Sequence, residues 1–246
     1  MAQAEFYFDP EFNHFLALDR CNGAFEFAFQ DRPSVKDAIE SLGVPHPEVD
    51  VILVNGRSVD FSYLLQDGDR LEVYPILRSP DVTPRLHLCP GKPDPLGFVL
   101  DVHLGKLASS LRMLGFDTLY RNHCDDAELA EISATQNRIL LTRDRGLLMR
   151  SIVRYGYSVR STNSDRQLSE ILERFDLLGE VQPFRRCLRC NGLLHPVDKE
   201  TIVDQIPAQT QQHINEFHRC QDCLQIYWRG AHYQRMQQFI TDLLTP

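Results

Sequence analysis

The chain has 246 residues; its 43% hydrophobic and 24% charged content is that of a soluble globular protein, long for one compact domain and sufficient for two small ones with an appendage. No apolar run approaches the roughly 18 residues needed to span a bilayer, and the opening MAQAEFYFDPEF places acids where a secretory signal carries Lys or Arg, so the reading is cytoplasmic with no membrane partner. The net charge of −8 lies wholly in the first third: residues 1–80 hold 14 Asp and Glu against 6 Lys and Arg, while the remainder balances at 20 and 20, which leaves an anionic partner open.

Residues 1–78 read as a complete small domain. The segment from Ala24 to Phe29 alternates strictly, as a half-buried strand does, and Glu5–Phe8 is its expected hairpin partner. Ser34 then caps a helix with Val35, Ala38, Ile39 and Leu42 at helical spacing, and Gly43 ends it. Val51–Val54 runs into the tight turn Asn55-Gly56, and Asp67-Gly68-Asp69 turns into a last strand, Arg70–Tyr74. This ββαββ order, and above all VNGRSVDFSYLLQDGDRLEVYP, resembles the β-grasp fold of ubiquitin-like sulfur carriers. Such carriers react through a C-terminal Gly-Gly, which neither this segment nor Leu243-Leu244-Thr245-Pro246 supplies, so the domain reads as an interaction module for a protein partner or as a substrate-guiding module.

Residues 79–97 form a Pro-rich linker in which Leu86–Leu88 could make a short strand. From 98 to 182 strand and helix alternate with short connections, which predicts a mainly parallel sheet flanked by helices. The predicted strands are Gly97–Leu100, Thr118–Tyr120, Arg138–Thr142 and Ser158–Arg160. Between and after them lie a helix with Leu104, Leu107, Ala108, Leu111 and Leu114 on one stripe, a helix capped by Asp125 or Asp126, a helix over Gly146–Tyr155, and a last helix capped by Asp165.

Asp101 and Asp144 each end an apolar strand and precede a helix, and ligands of open parallel sheets bind at that strand edge. With Asp126 at the start of the intervening helix, three carboxylates could converge, and crowded carboxylates call for a hard cation such as Mg²⁺ or Mn²⁺. The same acids also have ordinary roles: Asp125-x-x-Glu128 is a capping box, Asp144 could pair with Arg143 or Arg145, and Asp101 could cap the helix after it.

FVLDVHLGKLASSLRMLGFDTLY, followed by DAELAEISATQNRILLTRDRGLL, resembles the Mut-seven C-terminal RNase family, PIN-like nucleases ending in a zinc ribbon. The likeness extends through two CxxC pairs to YWRGAH, and some relatives carry a ubiquitin-like N-terminal domain. The resemblance implies a ribonuclease that hydrolyses RNA with one or two divalent cations, Mg or Mn, held by Asp101, Asp126 and Asp144. Asp165 is the nearest candidate for the fourth acid common in PIN domains. Lys106, Arg112 and Arg143 are candidate phosphate contacts, although each also has a structural reading. Ser109-Ser110 replaces an Arg and an aromatic usual in relatives, and this departure motivates the alternative of a non-catalytic RNA- or protein-binding module on a PIN-like scaffold.

Cys187-x-x-Cys190 and Cys220-x-x-Cys223 are two knuckles, and four thiolates suit a closed, structural Zn²⁺ site within a ribbon over 183–246. Arg185, Arg186, Arg189, Tyr227, Trp228 and Arg229 around them mix cations with aromatics. That mixture suits single-stranded RNA, or equally the packing that orients the ribbon.

Overall fold

The computed structural model describes residues 1–76 and 86–244. The expected boundary at 78/79 therefore lies outside the described residues. The chain divides into two compact units, one formed by residues 1–95 with 123–158 and the other by 96–122 with 159–246.

The first unit opens with a five-stranded sheet. Its strands are β1 (Ala2–Phe8), β2 (Phe25–Phe29), β3 (Val49–Val54), β4 (Arg57–Val59) and β5 (Arg70–Pro75), with helix α1 (Val35–Ser41) before β3. The spatial order is β2-β1-β5-β3-β4, in which β1 lies parallel to β5 and every other pair is antiparallel. This is the β-grasp arrangement, with one strand, β4, beyond the four read from the sequence. Ser34 caps α1 by accepting from the Asp37 N–H, and Val35, Ala38, Ile39 and Leu42 enter one core with Phe6, Phe8, Phe12 and Ile52. The Asp-Gly turn has a specific organiser. Buried Asp69 accepts hydrogen bonds from Asn55 Nδ2, Tyr63 Oη and the Gln66 N–H, so one carboxylate closes two loops.

The same unit holds α3 (Asp126–Thr135), β8 (Ile139–Thr142), α4 (Arg145–Leu148) and β9 (Gly156–Ser158), with β8 parallel to β9. The β-grasp portion is fastened to them by polar groups, of which Glu48 and His46 are buried and Arg145 exposed. The Glu48 carboxylate, fully buried, accepts from the Ser158 N–H at 2.6 Å. The His46 ring lies between Glu40 Oε1 (2.6 Å) and the Val153 carbonyl (2.9 Å). Arg145 donates to the carbonyls of His14 and Phe15 and covers the Phe15 ring.

The second unit contains β6 (Gly97–Leu100), α2 (Gly105–Met113), β7 (Asp117–Tyr120) and α5 (Ser164–Arg174), with β6 parallel to β7 and α2 packed on both β7 and α5. Gly115 ends α2 at φ +97°, and a Cβ there would fall 2.1 Å from the Gln182 carbonyl, so only glycine admits the returning chain. A three-stranded antiparallel sheet follows, β10 (Leu194–Val197), β11 (Phe217–Cys220) and β12 (Ile226–Trp228), with α6 (Ala208–His213) between β10 and β11 and α7 (Ala231–Leu244) after β12.

Several local expectations are corrected. Leu86–Leu88 form no strand, because their amides go to the Ser58 hydroxyl and the Asp50 carbonyl rather than to a ladder. The helix expected over Gly146–Tyr155 stops after one turn at Leu148. The strand expected at Ser158–Arg160 lies earlier, at Gly156–Ser158, because the Arg160 and Ser161 amides are taken by the Glu170 carboxylate. Asp165 does not cap α5. Asn163 does, accepting from the Asp165 and Arg166 amides.

The Glu48–Ser158 bond yields a direct expectation. Glu48→Ala leaves a buried N–H unpaired and should lower the unfolding free energy by roughly 1–3 kcal/mol, whereas Glu48→Gln, which retains an acceptor, should recover much of it. Urea denaturation of the three proteins measures the difference, and equal loss in both variants would assign the effect to something other than this acceptor.

Candidate metal centre and acidic site

The best-defined functional feature is the cysteine group. Cys187, Cys190, Cys220 and Cys223 bring their sulfurs within 4.8 Å of one another. Among the described residues this is the only such group of three or more His, Cys, Asp or Glu ligand atoms. The Sγ–Sγ separations of 3.5 Å (Cys187 to Cys223) and 3.3 Å (Cys190 to Cys220) are far beyond a disulfide and near the ~3.8 Å edge of a tetrahedron with ~2.3 Å zinc–sulfur bonds. The donor set therefore fits Zn²⁺ or a similar thiophilic ion.

Both knuckles use the same backbone device. The Asn191 and Leu224 amides donate to the Cys187 and Cys220 carbonyls, and both residues are left-handed, at φ 77° and 59°. Gly192 allows close approach, since a Cβ there would meet Cys220 Sγ at 2.8 Å. Tyr227, read from the sequence as part of the cation–aromatic mixture, also holds a cysteine sulfur, a contact the sequence pattern did not indicate. Its hydroxyl lies 3.1 Å from Cys187 Sγ and accepts from the Leu188 N–H. Burial alone would raise the Cys187 thiol, but the Tyr227 hydroxyl and the neighbouring backbone amides outweigh it and bring the group down to about 7. Burial pushes Cys190 the other way, up to about 12.

The ribbon is bound to the rest of its unit through two residues. Arg112, only 3% exposed, donates from Nε to the Thr118 carbonyl and from Nη1 to the carbonyls of Leu188 and Arg189. This structural role removes Arg112 from the candidate phosphate contacts, while Lys106 and Arg143 are exposed. Asn191 accepts from the Thr118 N–H and donates to Asp117. Arg186 is likewise committed, to the carbonyls of Gly115 and Asn191 and to Asp117, so of the cation–aromatic mixture it belongs to the packing.

The candidate acids are distributed over both units. Asp101 and Asp165 belong to the second. Asp101 follows β6 directly and is 8% exposed, and Asp165 sits exposed in the first turn of α5. Asp126 and Asp144 belong to the first unit, where α3 and α4 pack on one another. Asp125, not Asp126, caps α3 by accepting from the Glu128 N–H, which leaves the exposed Asp126 carboxylate outside the capping bonds. Asp144 caps α4 through a single oxygen. Oδ1 accepts from the Gly146 (2.7 Å) and Leu147 (3.3 Å) amides, while Oδ2 has no hydrogen bond among the described residues. The Asp144 N–H is held by the Thr142 hydroxyl at 2.9 Å.

The model of the Mut7-C RNase domain matches residues 96–240, and that of the Mut7-C ubiquitin-like domain matches residues 1–81. The chain belongs to the Mut7-C RNase family. No curated protein matches it. Among solved structures, a protein described as molybdopterin converting factor, subunit 1, from Pyrococcus furiosus is similar at 25% identity over 30% of this chain and 98% of its own, with a TM-score of 0.24. Membership in the Mut7-C family supports a nuclease-type function in general. No helix among the described residues is long and apolar enough to cross a membrane.

Two measurements follow from the cysteine centre. Cysteine thiols must lose their protons to bind metal as thiolates, so zinc affinity should fall as pH is lowered. Tyr227→Phe, which deletes the hydroxyl on Cys187, should weaken zinc binding by about tenfold or more in chelator competition. An unchanged affinity would show that the hydroxyl serves packing alone.

Proposed function

We infer that the protein is a divalent-metal-dependent ribonuclease that hydrolyses RNA phosphodiester bonds. Asp101, Asp126 and Asp144 hold Mg or Mn, Asp165 is a weaker fourth candidate, and the four cysteines hold a structural zinc. The observation that carries the reading is the match to the Mut7-C RNase domain over residues 96–240. The donor chemistry is consistent with it. Three carboxylates offer the oxygen set that hard cations take, Asp126 is not needed for capping, and Asp144 caps with one oxygen only. A bound Mg or Mn supplies an activated water and offsets charge on the phosphate.

Within that chemistry the chain's own residues have separable tasks. Thr142 holds the Asp144 N–H, the amides of the first turn of α4 hold its carboxylate, and Asp101 follows β6 directly. Exposed Lys106 and Arg143 are the candidate phosphate contacts. The ubiquitin-like domain, read as residues 1–78, is the interaction module for a protein partner. Residues 79–97 connect it to a nuclease domain over 98–182, followed by the ribbon over 183–246, and the protein works in the cytoplasm.

The test is cleavage of mixed labelled RNAs with Mn²⁺ by the wild type and by Asp144→Asn purified in parallel. Activity abolished by EDTA and lowered at least about a hundredfold in the variant is the expected result. Equal cleavage by both proteins would assign the activity to a contaminant. RNA retention without cleavage in either would favour a non-catalytic binding module.

A further inference from the structure

The ribbon carries a feature that hydrolysis at the acids does not use. Two adjoining cavities, of about 220 and 640 Å³, run along β12 and the first turns of α7 and share Leu188, Tyr227, Trp228, Tyr233 and Met236. Neither is lined by any Asp or Glu, although residues 81–246 hold as many acids as Lys and Arg. Arginines border both cavities, and two of them differ from the committed Arg186. The exposed Arg189 side chain makes no hydrogen bond or ion pair among the described residues. Arg229 lies over the Tyr233 ring at 5.8 Å and 3.3 Å from Glu216, in a pair where both side chains are largely exposed.

The aromatics are presented rather than buried. Trp228 is half-buried, backed by Phe217 and lying along Gly230, where a Cβ would meet its Nε1 at 3.1 Å. The indole N–H has no acceptor among the described residues. Tyr233, also half-buried, tilts over Phe184 with ring centroids 4.4 Å apart. The Tyr227 ring is held beneath by the bonds of its hydroxyl to Cys187 and Leu188, which links the wall of this trough to the cysteine centre.

We propose that this trough binds an unpaired stretch of RNA, with bases stacked on Trp228 and Tyr233 and phosphates met by Arg189 and Arg229. Stacking on aromatic faces tolerates any base, guanidinium groups pair well with phosphate oxygens, and an unengaged indole N–H offers a donor to a base edge. An A-form duplex hides its base faces within the stack, so the site selects single strands. The absence of carboxylates from the lining provides the charge complementarity. The inference rests on RNA being what the protein acts on, but not on the acids that would cleave it.

Trp228 is the only tryptophan, so its emission reports on the trough directly. Full-length zinc-loaded protein without added Mg or Mn is titrated with hexauridylate, hexaadenylate and a short RNA duplex, with anisotropy of labelled oligonucleotides read in parallel. Saturable quenching by the single strands is expected, with little response to the duplex. Tyr233→Ala and the surface variant Arg189→Ala should each weaken binding by about tenfold at unchanged zinc content. Anisotropy showing single-strand binding with unmoved Trp228 emission and unaffected variants would place RNA elsewhere and overturn the trough, while Asp144-dependent cleavage would leave the nuclease reading intact. Quenching that persists when cleavage proves independent of Asp144 would sustain the trough and sink the acidic site. A response to acidic peptides but not to RNA would overturn the proposal in favour of a protein partner.

Discussion

Four sulfurs within 4.8 Å of one another set the condition on which the second unit depends. As thiolates they repel, and only a cation at their centre makes the arrangement favourable. The ribbon has little else to hold it, since its buried cluster consists of Ile202, Ile206, Phe217 and Ile226. Metal binding and folding of such a segment are therefore one equilibrium, to which a structural zinc can contribute on the order of 10 kcal/mol. The dependence reaches outward from the knuckle. Arg112 satisfies its buried guanidinium on the carbonyls of Leu188 and Arg189, which only a formed Cys187–Cys190 turn presents. An unfolded ribbon would take away two of its three carbonyl acceptors and leave only the one at Thr118.

A comparable economy of polar groups governs the first unit. The β-grasp portion meets α4 and β9 through Glu48, His46 and Arg145, each satisfying backbone groups that water does not reach freely. An acidic N-terminal domain that merely shielded an anionic site could be lifted away without structural consequence. Here its removal would strip acceptors from the Ser158 N–H and the Arg145 guanidinium and a partner from the Val153 carbonyl. The β-grasp module is thus built into the unit that carries Asp126 and Asp144, and its effect on any chemistry there includes holding α4 in place.

Much of this was legible in the residues themselves. Strict alternation at Ala24–Phe29, the Asp67-Gly68-Asp69 turn and the paired CxxC knuckles are local signals whose physics is complete within a few residues, and β2, the turn before β5 and the cysteine group all stand where those signals put them. The failures have two causes. Whether Asp165 or Asn163 caps α5 depends on which of two adequate residues stands at the first non-helical position. The end of β9 depends on Glu170, ten residues away, supplying a carboxylate to the Arg160 and Ser161 amides. Arg112 reads as a surface cation on a helix until the ribbon that accepts its hydrogen bonds is in place. The last two needed a partner outside the local window, and periodicity carries no information about such partners. The candidate acids fall between these cases, because the motifs number them while their mutual arrangement is a property of tertiary structure.

Asp144 shows how one side chain can satisfy a fold and leave capacity for chemistry. A capping carboxylate needs a single oxygen, and Oδ1 here serves both the Gly146 and Leu147 amides. The second oxygen and the negative charge exceed what the cap requires, since asparagine caps helices about as well as aspartate. Were α4 the whole explanation, the position would tolerate the uncharged amide with no functional consequence. A hard cation, in contrast, is held by carboxylate charge and discriminates strongly against the amide. The local geometry thus separates the two explanations of the same residue by charge alone, with the helix preserved in both.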